Sequence, residues 1–411
     1  MHTVEITLEQ VLLARDRRVQ RLLALHRQYG GTLLSFTMNI AGPVKDTPLV
    51  RLAFRAGLAA LDRDLGAPVH RESVAAPTGP EALLVYHRPA GAVKDLCLRL
   101  EEQAPVGRLY DLDVLSPGGE KLSRPQSRRC LICGGPVTVC SRSRAHGLAA
   151  IQAKTEDILR SFAAGHLAQL ARQALEDEVC LTPKPGLVDR RNTGAHDDMD
   201  LPLFRRSAAA LEPYFCRFVS LGMAGASPAE LQALGREAEH AMLTATGGVN
   251  THKGALYSFA LLLSALGRSL TEGGDPFHTA AAIADALPPA SGTHGSAVRD
   301  QCGGVRQEAI SGFPTARHMR ELLSRSGALA ALTWSMSRLD DSTLVYRGGP
   351  EGLRYVQQAA SALLTLPENA LVPALEALDD DLIARHLSPG GSADLLSLAL
   401  FLDAAAPETW L

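Results

Sequence analysis

The segment Gly107-Arg108-Leu109-Tyr110-Asp111-Leu112-Asp113-Val114-Leu115 sets two carboxylates one residue apart in an apolar run. A strand repeats every two residues, so Asp111 and Asp113 leave one face while Leu112 and Val114 leave the other. Neighbouring carboxylates repel unless a cation lies between them, and such a pair suits Mg²⁺ held against a phosphate chain. The pattern equally fits a strand with two solvated aspartates on its outer face. Further on, Cys130, Cys133, Cys140 and His146 offer four soft or borderline ligands within seventeen positions, enough for one tetrahedral zinc. Gly134-Gly135-Pro136 would fold the first pair back on itself. Two other readings stand beside zinc: His146 as a phosphate contact next to Arg142 and Arg144, or three buried reduced thiols.

The second half carries four dense loops. The first, 182–200, is punctuated by Pro183, Pro185, Gly186 and Gly194, which forbid a helix, and presents Lys184, Arg190, Asn192, His196, Asp197 and Asp198. Cations mixed with carboxylates suit a nucleoside triphosphate and its metal, and long structureless loops in compact helical domains are uncommon unless functional. The second, Thr246-Gly247-Gly248-Val249-Asn250-Thr251-His252-Lys253-Gly254, leads into an apolar helix. Free N–H groups, a dipole end and a lysine there favour phosphate, although the P-loop spacing is absent and Asn250 also fits a plain helix cap. The third spans Asp340 to Gly349 and includes Asp341 and Arg347; the fourth, 387–394, carries Gly390, Gly391 and Ser392, the serine also fitting a helix cap. Between them lie Thr293-His294-Gly295, Arg306, Glu308 and Gly312-Phe313-Pro314.

The elements that must hold these residues change character along the chain. Thr7 with Gln10 forms a capping-box pattern ahead of a helix running to Tyr29. Strands are predicted at Thr32–Ile40, Ala82–Tyr86, Arg108–Leu115 and Lys121–Ser123, with helices at Leu49–Leu65 and Val93–Glu102. From about Ala145 helical periodicity dominates: 166–180, 203–222, 227–245, 252–268, 296–310, 317–338, 351–364 and 391–404. Ser227-Pro228 with Glu230 is a helix-start signal. The expected architecture is a two-domain chain, 1–162 of α/β type with a mixed sheet and 163–411 all-helical, the change falling near 145–165.

Composition narrows the function classes. With 411 residues, 46 % apolar and 21 % charged, the chain fits two globular domains. A net charge of −3 gives no electrostatic footprint for nucleic acid. No apolar run approaches the roughly 20 residues of a membrane span. Met1–Gln10 lacks a basic-then-apolar signal pattern, and seven cysteines, three of them clustered, do not make a secreted disulfide framework, so a cytoplasmic protein is expected.

In order, Ala14-Arg15-Asp16-Arg17-Arg18, Ser35-Phe36-Thr37-Met38-Asn39-Ile40-Ala41-Gly42-Pro43-Val44-Lys45, the segment around Asp111 and Asp113, Leu122-Ser123-Arg124 and the Cys-x-x-Cys block resemble the apo-citrate lyase phosphoribosyl-dephospho-CoA transferases (holo-citrate lyase synthases) over residues 8–160. The resemblance implies a nucleotidyltransferase-like domain. A serine of the citrate lyase acyl carrier protein, its γ subunit, attacks the α-phosphate of a triphosphoribosyl-dephospho-CoA and pyrophosphate leaves. It implies Mg²⁺ on Asp111 and Asp113, and phosphate contacts among Arg15, Arg17, Arg18, Lys45, Arg108 and Arg124.

The loops of the second half, in their order, resemble the triphosphoribosyl-dephospho-CoA synthase family over residues 165–405. That implies an all-helical enzyme joining ATP to 3′-dephospho-CoA: the 2′-hydroxyl attacks the anomeric carbon of ATP's ribose and adenine departs. Lys184, Arg190, Lys253 and Arg347 would neutralise the triphosphate. Asn192, Gly247, Gly248, Asn250, Thr251, His252, Gly390, Gly391 and Ser392 complete the phosphate-binding set. Asp197, Asp198, Asp340 and Asp341 would supply a base, the last two also holding Mg²⁺, with Glu239 and Glu308 as second choices. His196, His252 and His294 would protonate adenine. Two alternatives remain beside this bifunctional transferase: maturation of the malonate decarboxylase carrier, and a non-catalytic zinc- and nucleotide-binding regulator.

Overall fold

The computed structural model describes residues 4–103, 105–288 and 303–410. They divide into two compact units, one running to Ala163 and including the last residues from Glu408, and one covering Ala164–Pro407. His294 and residues 296–302 of the helix expected over 296–310 lie outside the described residues. Among those residues no helix is long and apolar enough to cross a membrane.

The first unit opens with α1 (Leu8–Tyr29), started by the reciprocal Thr7–Gln10 capping box. There follow β1 (Thr32–Met38), α2 (Pro48–Leu65), β2 (His70–Val74), β3 (Glu81–Tyr86), α3 (Ala90–Gln103) and β4 (Tyr110–Leu115). A short helix, α4 (Val137–Ser143), precedes α5 (Leu148–Cys180). The strands lie in the order β2-β3-β1-β4. Every pairing is antiparallel, which corrects the mixed sheet expected from alternating helices and strands. The cause is β2, which sequence periodicity missed: its hairpin with β3 reverses the direction in which β3 enters beside β1. The expected strand at 121–123 is only a single bridge, Leu115 to Lys121.

One face of the sheet packs Leu33, Leu83 and Val85 against Leu22 and Leu25 of α1. The other places Phe36 in a stack with Phe54 of α2, centroids 4.6 Å apart. β4 is an edge strand whose outer groups are nonetheless taken. The Leu112 N–H donates to Glu101 at 3.0 Å, the Leu112 carbonyl accepts from Lys94, the Tyr110 carbonyl from Arg128 and the Val114 carbonyl from the Leu122 N–H.

The second unit is helical: α6 (Leu201–Met223), α7 (Pro228–Thr246), α8 (Lys253–Glu272), α9 (Pro276–Ala286), α10 (Gly304–Ile310), α11 (Pro314–Met336), α12 (Ser342–Leu363), α13 (Glu368–Ala384) and α14 (Gly390–Ala405). Helix α8 is apolar nearly all round and so lies in the core, Phe259 touching Phe215 of α6 and Phe401 of α14. Gly222 and Gly267 permit its close approach to α6, because a Cβ on either would collide with a backbone carbonyl of the other helix. The expected loop from Asp340 to Gly349 is a correction. From Ser342 onward it is helix, and Gly349, at φ 64°, takes up a kink inside α12 rather than ending it.

Candidate active sites

In the first unit Asp111 and Asp113 share a face of β4 and sit opposite Thr37 and Ser35 of β1. Asp111 is exposed and Asp113 half-buried, while Leu112 and Val114 point into the core. Asp113 accepts from Lys121 at 2.7 Å and Asp111 lies 3.6 Å from Arg128. Arg18, on α1, is held to Glu81 at 2.8 Å; burial lowers its pKa while Asp111 and Asp113 pull it back up. Two hard oxygen donors on one accessible face fit a divalent cation.

Beside them is a cavity of about 370 Å³ whose walls include Asn39, Arg108, Arg128, Arg129, Cys130 and His146. Burial lowers the pKa of Arg108, with Arg128 and Arg124 adding to the effect. Other expected phosphate contacts stand elsewhere. Lys45 bonds the Ile40 carbonyl, Arg15 is exposed, and Arg124 pairs with Glu101. Glu101, 2 % exposed, also receives Arg128 at 2.6 Å. The sequence singles out neither Glu101 nor Arg128; Glu101 is one of two adjacent acids in the last turn of an amphipathic helix.

In the second unit three helix N-termini converge. Asp341 is the N-cap of α12, accepting from Thr343 at 2.9 Å and Leu344 at 3.3 Å, and its other oxygen accepts the Ser392 N–H of α14 at 3.1 Å. Asp394, one turn along α14, accepts the Ala255 N–H of α8. Burial raises Asp341 to about 6. Burial raises Asp394 well above the carboxylate range, with Glu178 and Asp341 adding to it. Asp394 closes the 387–394 loop of the sequence but was given no role there; its only trace was a carboxylate one turn into a mostly apolar helix.

Lys184 and Glu178, both buried, form an ion pair in the same region, and burial pushes the Glu178 carboxyl up. His252 is buried at the start of α8. Thr251 donates to Ser207 at 2.7 Å, the Ser207 hydroxyl meets His252 Nδ1, also at 2.7 Å, and His252 Nε2 is buried without a partner among the described residues. Burial, then the charge of Lys184, lowers its pKa to about 3. His196 accepts from Arg347 at 3.0 Å on Nδ1 and meets Ser388 at 2.9 Å through Nε2; burial and then Arg347 hold it to about 4. Burial thus favours the neutral form of both imidazoles near pH 7.

The remaining expected residues divide. Lys253 pairs with Glu239, and its N–H donates to Asn250 at 3.2 Å, although the N-cap of α8 is His252 rather than Asn250. Gly247, Gly248, Asp197, Asp198, Asp340 and the side chain of Arg190 are exposed. Asn192 is turned inward to Asp379 at 2.7 Å, which also binds Arg191 and the Gly186 N–H and so pins the first loop. Glu308 caps α11 through the Thr315 N–H at 2.7 Å. The pair Asp340–Asp341 does not fit a shared Mg²⁺, because both oxygens of the buried Asp341 are spent on backbone N–H groups. Gly390, Gly391 and Ser392 surround that carboxylate, a Cβ on Gly391 coming to 3.1 Å from it.

The family model described as apo-citrate lyase phosphoribosyl-dephospho-CoA transferase matches residues 6–162. The one described as ATP:dephospho-CoA triphosphoribosyl transferase matches residues 164–410. Protein CitXG of Haemophilus influenzae is 36 % identical over 97 % of this chain and 96 % of its own. The chain is a tandem fusion of these two families. The triphosphoribosyl transferase part is also similar to the 2-(5''-triphosphoribosyl)-3'-dephosphocoenzyme-A synthase of Haemophilus ducreyi, 35 % identical over 66 % of this chain and 98 % of that protein. A synthase of the same name from Klebsiella pneumoniae is 40 % identical over 60 % of this chain and 93 % of its own. In this fusion the edge-strand aspartates lie in the citrate lyase transferase part, and the three converging helix ends lie in the triphosphoribosyl transferase part.

Proposed function

We propose that the chain makes the prosthetic group of citrate lyase in its second unit and attaches it to the acyl carrier protein with its first. The observation that carries this is that carboxylates and cations gather twice, once at the β4 edge and once at the converging N-termini of α8, α12 and α14. ATP and 3′-dephospho-CoA are the substrates of the second site. The ribose 2′-hydroxyl loses its proton as its oxygen bonds to the anomeric carbon of ATP's ribose. The bond to adenine breaks, adenine leaves with one proton in balance, and the triphosphate stays on the product. Lys184, Lys253 and Arg347 bring positive charge and the helix ends add their dipoles. The leaving adenine needs a proton. With His196 and His252 neutral, Asp394 is the group we assign to carry it, because its carboxyl stays protonated beyond the usual range.

At the first site the carrier's serine oxygen bonds to the α-phosphorus while the bond to pyrophosphate breaks. Arg108, Arg128 and Arg129 line the cavity that receives the phosphates, and Arg18 approaches the aspartates from α1. Asp111 and Asp113 are the residues to hold Mg²⁺, which when bound supplies charge neutralisation for the departing pyrophosphate.

The test is to incubate the protein with ATP, Mg²⁺, dephospho-CoA and apo-carrier, following adenine by chromatography and the carrier by intact mass. The double variant Asp111→Asn, Asp113→Asn is expected to stop carrier labelling and spare adenine release. Asp394→Asn is expected to stop adenine release, yet still label the carrier from presynthesised precursor. If either variant loses both activities equally, the division of labour fails.

A further inference from the structure

We propose that Cys130, Cys133, Cys140 and His146 bind one structural Zn²⁺. Neither transfer reaction uses these groups, and four separate features of the backbone gather them. The Cys130 N–H donates to the Gly135 carbonyl at 2.7 Å and the Gly134 N–H returns to the Cys130 carbonyl at 3.0 Å, with Gly134 at φ 71°. The N–H groups of Ile132 and Cys133 point at the Cys130 sulfur. An Arg129–Pro136 bridge closes this turn, and α4 then presents Cys140 from its middle. Arg144, left-handed at φ 48°, ends α4, and the Ala145 N–H bonds back to the Cys140 carbonyl at 3.1 Å, which returns His146 to the cysteines.

One ligand atom from each of the four residues lies within 4.8 Å of all the others, and the sulfurs of Cys133 and Cys140 are 3.5 Å apart. A tetrahedron with Zn–S bonds of about 2.3 Å sets its ligands about 3.8 Å apart, so small movements seat the ion. A disulfide, at about 2.05 Å, would need much more. His146 adds an independent sign: its Nε2 is sheltered from water and has no hydrogen-bond partner. A sheltered ring nitrogen beside three thiols is satisfied by a metal.

The segment also lacks other means of holding its shape. Helix α4 buries none of its residues, and Val139 is 60 % exposed. Stretches without a core of their own are commonly stapled by a metal. This stretch carries Arg128 and Arg129 into the wall of the cavity, so the ion would fix arginines rather than touch phosphate.

The test uses the full chain and does not depend on either activity. Plasma mass spectrometry of protein from zinc-containing medium is expected to give one zinc per chain, falling to near zero in Cys133→Ser and in Cys140→Ser. In case those variants misfold, wild type is stripped with chelator and reloaded with Co²⁺. Intense thiolate-to-cobalt charge-transfer bands with tetrahedral visible absorption are expected. Trypsin cleavage after Arg128, Arg129, Arg142 or Arg144 is expected to accelerate at least tenfold on stripping. Metal-free protein with no cobalt bands, zinc content unchanged in both serine variants, or a Cys133–Cys140 disulfide in the intact mass would each overturn the proposal.

Discussion

The carboxylate of Asp394 lies directly over the Cα of Gly254, where it accepts the next residue's N–H, and no side chain fits between them. Gly254→Ala therefore pushes Asp394 off the first turn of α8. Misplacing a reacting group by an ångström costs on the order of a hundredfold in rate. Adenine release should drop by about that factor, while far-ultraviolet circular dichroism and carrier labelling from presynthesised precursor stay near wild type. Unchanged adenine release would separate Asp394 from the chemistry.

Acid should expose the buried His252. Its folded pKa is about 3, while the unfolded value is about 6.5. Between these the unfolded chain binds a proton that the folded chain refuses, so this stabilising contribution is whole above pH 6.5 and is lost as pH falls toward 3. Asp341, raised to about 6, acts in the opposite sense, favouring the folded state as pH drops below 6; Glu178 and Asp394, also raised, add to it. The histidine is therefore read as a difference. The stability gap between wild type and His252→Gln should change by about 1.4 kcal/mol per pH unit between pH 4 and 6. Urea denaturation at several pH values measures it, and parallel curves would contradict the assignment.

Removal of Glu101 should strike only the first unit's function. It is 2 % exposed and receives Arg124, Arg128 and the Leu112 N–H. Deleting one partner of a buried charge cluster costs about 3–5 kcal/mol, because the other charges are left unmatched. Glu101→Ala should lower the first thermal transition and abolish carrier labelling with adenine release retained; Glu101→Gln should recover part of the stability. Full labelling by the alanine variant would remove Arg128 from the site.

Local periodicity made much of this molecule legible in its sequence. The Thr7–Gln10 cap, the burial of Leu112 and Val114 behind Asp111 and Asp113, and the apolar α8 all follow from spacing within a few residues. β2, His-Arg-Glu-Ser-Val, escaped because an edge strand with polar residues on both faces has no apolar alternation to read. α12 was misread because Gly348-Gly349-Pro350 punctuates like a turn, while the fold spends the same residues on a kink. In the candidate sites the missed groups share one cause. Glu101, Glu178 and Asp394 look like ordinary helix carboxylates until other segments pack against them; Glu101 then gathers two arginines, and burial raises the carboxyls of Glu178 and Asp394.

The lining of β4 by Lys94, Glu101, Arg128 and Leu122 has a bearing on self-association. A bare outer strand is a template onto which another polypeptide can zip, and here the charged groups have filled that template from within. Solubility and the phosphate binding proposed above thus draw on the same few side chains, Arg128 above all. Damage there should announce itself as clumping as well as lost turnover.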